Sequence, residues 1–159
     1  MGDIAVVMPA ESKTVQAIYD HYKKTGDAEP RRGYLGASQI GHECARYLWY
    51  SFHWCGAENF KGQMYRLFDR GDMEEYRMVA DLRAIGCEVH AVNAETGEQF
   101  VVKALGGHFS GHMDGCARGI PEAPKAWHVR EFKTHNAKSF SYLREHGVRK
   151  AKKMHYDQM

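Results

Sequence analysis

An α+β domain, or a mixed three-layer α/β/α one, is the fold class this sequence predicts. Apolar residues recur at helical spacing as far as Ile85 and again beyond Asn136. Between them, residues 87–134 break into short alternating runs bounded by Gly, Asn and Pro, the pattern of strands and turns. Length adds a third constraint: 159 residues, 43% hydrophobic and 26% charged, suit one soluble domain with a single core.

The first helix is expected within residues 12–25. Ser12 or Thr14 can cap it, and Val15, Ile18, Tyr19 and Tyr22 fall on one stripe. Gly26 to Pro30 ends it. The string Arg31-Arg-Gly-Tyr-Leu-Gly-Ala-Ser38 leads into a second helix over 38–52, with Ser38 as N-cap. That helix start, with Arg31 or Arg32 beside it, can receive a phosphate or simply be capped and solvated. The aromatics Tyr47, Trp49, Tyr50, Phe52 and Trp54 read as core rather than as a base-stacking platform.

After the loop at Gly56–Phe60, a long helix over 63–85 ends at Gly86, a natural C-cap. Glu75 shares its apolar stripe with Met78, Val79 and Leu82, whereas Glu74 faces water with Arg77 and Asp81. A carboxylate on an apolar stripe is costly unless a positive group meets it. Residues 87–92 and 99–105 read as strands joined by the Asn93–Glu98 turn, and two further strands follow, giving a four-strand meander. Asn136 then caps a helix that buries Phe140 and Leu143, is broken at Gly147 and resumes to Met159.

The chemistry concentrates in Ser110-Gly-His-Met-Asp-Gly115 and His128-Val-Arg-Glu-Phe-Lys-Thr134. Ser110, His112, Asp114 and Cys116 share one strand face, and Trp127, Val129, Glu131 and Lys133 share another. If the intervening turn closes around Glu122 and Ala123, Asp114 falls opposite Glu131. Two carboxylates and an ammonium then converge from adjacent strands. Such a set suits Mg²⁺, which takes oxygen ligands from one or two carboxylates plus a substrate phosphate. An exposed cross-strand salt bridge, of roughly 0.2–1 kcal/mol, is the plainer reading of the same residues.

Charge is uneven. Residues 125–159 hold nine Lys/Arg against three Asp/Glu, while the whole chain nets only +2, which leaves residues 1–124 acidic. A basic segment beside a carboxylate cluster suits a polyanionic partner, and equally a solvated Lys-rich helix. Cys44, Cys55, Cys87 and Cys116 lack any CxxC spacing, so buried free thiols in a reducing cytosol are expected, not a zinc site or disulfides. No apolar run is long enough to span a bilayer, and Ile4–Ala10 is too short for a secretory signal.

Taken together, Gly71-Asp-Met-Glu-Glu75, Asp114 in Gly-His-Met-Asp-Gly, Glu131-Phe-Lys133 and Gln158 resemble the active-site order of the PD-(D/E)xK nuclease superfamily. The closer resemblance is to phage lambda-type alkaline exonucleases, or viral recombinases, and to RecB-type nuclease domains. It implies a single restriction-endonuclease-like domain over 1–159, with a central mixed sheet of about four strands. It also implies that Asp114, Glu131, the Phe132 carbonyl and Glu75, directly or through water, hold Mg²⁺ or Mn²⁺. Lys133 positions the attacking water, Arg31 and Ser38 grip a 5′-terminal phosphate, and His112 and Gln158 lie near the DNA.

The implied activity is 5′→3′ resection of double-stranded DNA ends in phage-type recombination or repair. A RecB-type endonuclease or repair nuclease and a catalytically inactive DNA-binding module of the same fold are the alternatives. The implied setting is the cytoplasm of a bacterial host, encoded by a phage or prophage. A single-strand annealing protein as partner and a ring trimer follow from the kinship alone.

This sequence departs from the pattern in places. His112 stands where a small residue is usual, and no Tyr follows Gln158 by four positions, because the sequence ends at Met159. The last core strand is expected to be missing. The cysteine spacing also differs from that of the iron–sulfur members, so no cluster is predicted.

Overall fold

A computed structural model describes residues 12–53, 55–56 and 59–159. The expected reading of Ile4–Ala10, and the positions of Trp54, Ala57 and Glu58, lie outside the described residues. Those described form a mixed α and β structure. The chain expected to make one domain divides into two compact units: Met1–Arg31 with Glu58–Asp72, and Arg32–Ala57 with Met73–Met159.

The first unit contains α1 (Lys13–Asp27) and the N-terminal half of α4 (Gly62–Ala84). Ser12 caps α1, its side chain accepting from the Val15 N–H. The two helices meet closely at Gly62, where a Cβ would stand 1.8 Å from the Tyr19 carbonyl oxygen. Polar ties hold the pair: Tyr65 donates to Asp27 at 3.0 Å and Tyr22 to Asp69 at 3.2 Å, while Lys23 donates to Asp27 within α1 at 2.8 Å. Phe60, Tyr65 and Phe68 pack edge to face beside them.

The second unit holds β1 (Leu35–Gly36), α2 (Ala37–Ile40), α3 (Ala45–Phe52), the rest of α4, β2 (Glu88–His90), β3 (Phe100–Ala104), β4 (Phe109–Met113), β5 (Cys116–Arg118), β6 (Trp127–Val129), α5 (Ala137–Ala151) and α6 (Lys153–Gln158). The expected single sheet of about four strands is not what forms. There are two three-stranded sheets among the described residues, in the orders β1-β4-β3 and β2-β5-β6. β1 runs parallel to β4, and every other pairing is antiparallel.

One break accounts for the difference. The run read as a single strand over Ser110–Gly115, with Cys116 on its face, splits at Asp114-Gly115, and each half joins a different sheet. Gly115 has φ +114°, and a Cβ there would lie 2.2 Å from the His90 carbonyl oxygen. Only glycine lets the chain turn there so close to β2. As a result β2 pairs with β5 instead of forming a hairpin with β3, even though the Asn93 turn closes, with Asn93 N–H on the Glu98 carbonyl at 2.8 Å.

The hairpin register matches the expectation. Cys116 pairs with Val129, Ala117 with His128 and Arg118 with Trp127, and the Arg130 N–H continues to the Gly115 carbonyl at 2.9 Å. In that register Asp114 falls opposite Glu131.

The helix expected over 38–52 is two helices, α2 and α3, separated by Gly41–Cys44. Ser38 lies inside α2, whose N-cap is Gly36, so it does not cap. The break lets α6 approach: a Cβ at Gly41 would lie 2.8 Å from the Asp157 Cβ and 2.9 Å from the Met154 Cα. α4 ends where expected, with Gly86 at φ +90° and the Cys87 N–H reaching the Leu82 carbonyl at 3.0 Å. Asn136 caps α5, accepting from Ser139 N–H at 2.8 Å, and the helix kinks at Gly147.

Among the described residues the buried hydrophobic cluster is small: Val79, Cys87, Val89 and Ala117, with Leu82, Ala91, Ile120 and Phe132 packed against it. Several residues expected inside are exposed instead, among them Phe140, Trp49 and Tyr50. Cys87 is buried, but Cys44 and Cys55 are exposed thiols. No helix among the described residues is long and apolar enough to cross a membrane.

Candidate active site

Asp114 closes β4 at the point where the chain leaves one sheet for the other. Three hydrogen bonds from residues 130–132 hold it and its neighbour. The Phe132 N–H donates to Asp114 Oδ2 at 2.5 Å, Arg130 Nη2 to the Asp114 carbonyl at 2.7 Å, and the Arg130 N–H to the Gly115 carbonyl. The carboxylate is half-buried.

Glu131 follows at once, on the segment leading out of β6. Its side chain is only 13% exposed, and its Oε1 is paired with the Lys133 ammonium and accepts from Gln158 Nε2 at 2.8 Å. Two residues apart on an extended segment, Glu131 and Lys133 project to the same side, as the alternation requires. Gln158 arrives from α6, 27 residues later in sequence. Four residues singled out from sequence, Asp114, Glu131, Lys133 and Gln158, are thus joined through one short segment.

Glu75 is half-buried on α4, one turn before the buried Val79. Burial pulls the Arg130 pKa down, and the negative charges of Glu75 and Asp114 push it the other way. Glu74 pairs instead with Arg77 at 3.6 Å near the surface. Among the described residues no three His, Cys, Asp or Glu side chains stand together as a ready cage for a metal ion. The donor set is nonetheless suited to Mg²⁺ or Mn²⁺: two carboxylates and the Phe132 carbonyl are hard oxygen ligands, and Mg²⁺ keeps several of its own waters.

Arg130 is the residue that the sequence reading passed over. It is 6% exposed, lies 4.9 Å from the Phe132 ring and bonds the main chain at Asp114. Alternation along His128–Lys133 puts it on the face away from Glu131, and that was the available signal.

The N-terminal candidates belong to different units. Arg31 closes the first unit, while Ser38 belongs to the second. The arginine that the second unit places next to Ser38 is Arg32: over Gly36, a Cβ would meet Arg32 Nη1 at 3.2 Å and Ser38 Oγ at 3.6 Å. His112, exposed on β4, lies 3.2 Å from Gln99 Oε1 through Nδ1 and 3.4 Å from the Tyr34 hydroxyl through Nε2.

His155, one turn before Gln158, stands 5.8 Å from the His135 ring. Burial holds its pKa below the usual histidine value, and Lys133, His135 and Lys152 push it the same way. The folded state therefore binds this proton less readily than the unfolded chain. Its contribution to stability is complete above the unfolded pKa and is lost as pH falls below it. Thermal melts are expected to show a lower Tm at about pH 5.5 than at about pH 7.5, on either side of the unfolded histidine value. His155→Asn should narrow that gap, and an unchanged gap would contradict the assignment.

Comparison with models of protein families, with curated proteins and with solved structures found no match.

Proposed function

We propose that this chain is a divalent-metal-dependent DNA nuclease with a PD-(D/E)xK active site, acting as a 5′→3′ exonuclease on double-stranded ends. The reading also takes its second unit as a variant of the restriction-endonuclease-like core. The observation that carries it is the meeting of Lys133 and Gln158 on Glu131 Oε1 beside Asp114. Nothing about an incidental surface ion pair would bring Gln158, from a separate helix, to that same oxygen.

In this reading Asp114, Glu131 and the Phe132 carbonyl would hold Mg²⁺ or Mn²⁺, with Glu75 contributing from α4. The ion, when bound, lowers the pKa of a water and offsets charge on the scissile phosphate. Lys133 orients that water and stabilises negative charge as it develops on the phosphate oxygens. Gln158 fixes the Glu131 carboxylate by a neutral donor, so the oxygen keeps its direction without losing its charge. Arg31, Arg32, Ser38 and His112 are the candidates for holding DNA phosphates, and the basic C-terminal segment draws the polyanion in.

The test is digestion of end-labelled linear duplex against covalently closed circles in Mg²⁺, with and without a 5′ phosphate. Linear duplex is expected to shorten from its ends, faster with the phosphate, while closed circles survive and EDTA stops the reaction. Nicking of the circles would convert the reading to an endonuclease. No hydrolysis of either substrate would overturn it.

A further inference from the structure

Arg130 occupies a position where an apolar side chain would be cheaper. Its guanidinium is buried, and its Nε and Nη1 have no hydrogen-bond partner among the described residues. Burying a charged group with donors unmet costs stability, and a leucine or methionine could rest on the Phe132 ring without that cost. Among the described residues its one side-chain hydrogen bond goes to the main chain of Asp114, and the negative charges acting on it most are Glu75 and Asp114. What the residue touches is thus the turn that aims one candidate metal ligand, and what balances its charge is another.

We infer that Arg130 is a positioning residue: its guanidinium fixes the Asp114-Gly115 turn and serves as the built-in counter-cation of Glu75, holding both carboxylates toward one site. This rests on the nuclease reading for its consequence in catalysis, but not for the Arg130–Glu75 coupling itself. Two features favour positioning over simple core filling. Arg130 binds two successive carbonyls of the turn, by Nη2 that of Asp114 and by its own N–H that of Gly115. Its Nη2 also lies where a Gly115 Cβ would fall, at 2.5 Å, so the turn and the guanidinium fit only each other.

The experiment compares the full chain with Arg130→Lys and Arg130→Met. Lysine retains the charge without the fork, whereas methionine retains neither. Hydrolysis of linear duplex should fall about 10- to 100-fold in kcat, with KM for DNA little changed. The Mg²⁺ concentration for half-maximal rate should rise in both variants, with lysine the milder. Unchanged kcat and Mg²⁺ requirement, measured below the variants' melting temperatures, would reduce Arg130 to a core residue.

A second arm needs neither metal nor activity: Tm in EDTA for wild type, Arg130→Met, Glu75→Gln and Arg130→Met with Glu75→Gln. The two substitutions are expected to be non-additive, because each removes half of one charge pair. Additive shifts would overturn the coupling. Wild-type chain that cuts no DNA but shows the non-additivity would sink the nuclease reading and leave the pairing standing.

Discussion

Asp114→Asn and Lys133→Ala should each lower Mg²⁺-dependent hydrolysis of duplex DNA by about 10²- to 10³-fold, the scale on which a lost electrostatic partner of the transition state is felt. Asparagine is the informative replacement. Its side-chain oxygen can still accept from the Phe132 N–H, which Asp114 Oδ2 does at 2.5 Å, so the turn keeps its shape while the anionic ligand is lost. Lys133→Ala removes the ammonium paired with Glu131 but leaves the Gln158 hydrogen bond to that carboxylate. Both proteins should therefore melt near the wild type in EDTA.

They should differ in their response to the ion. A site that binds Mn²⁺ stabilises the folded chain by mass action, by about 2.7 kcal/mol at a hundred times Kd. That shift should be present in Lys133→Ala and largely lost in Asp114→Asn. Equal residual hydrolysis in wild type and both variants would remove catalysis by these residues and leave a DNA-binding module as the surviving reading.

Gly115→Ala should be the most destabilising small substitution in the second unit. A Cβ at this position would lie 2.2 Å from the His90 carbonyl oxygen and 2.9 Å from the Ala91 Cα, both main-chain atoms of β2 and the residue after it. Neither can move without disturbing the pairing of β2 with β5. Backbone strain at positive φ costs on the order of 1–3 kcal/mol, and overpacking adds a similar amount. Against the marginal net stability usual for a domain, and a core of four buried hydrophobic residues among those described, that loss is large.

The natural control is Gly97→Ala. Gly97 also has positive φ, at +72°, but a Cβ there meets nothing within 4 Å. It should cost only the conformational strain. Urea denaturation of the two variants separates the effects, and a Gly115→Ala midpoint no lower than that of Gly97→Ala would show that the β2 contact does not constrain the turn.

Much of the site was legible in the chain. Ser12 and Asn136 cap their helices, Gly86 ends α4 and Gly147 kinks α5, because caps and breakers act through the few residues beside them. The register that sets Asp114 opposite Glu131 was also readable, since the length of a connector determines which residues pair. Glu131 and Lys133 meet because they are two residues apart on an extended segment.

Other features had no local signal. That Phe109–Cys116 would serve two sheets depended on how closely β2 approaches Gly115, a contact between residues some 25 positions apart. Gln158 reaching Glu131 and Arg32 standing beside Ser38 both depend on how separate elements pack. Side-chain alternation, capping and turn chemistry are short-range, so the sequence alone could supply the candidate residues and their pairing within one hairpin. Which strand lies beside which, and which charge is buried against which, is settled only when the whole chain competes for the same small core.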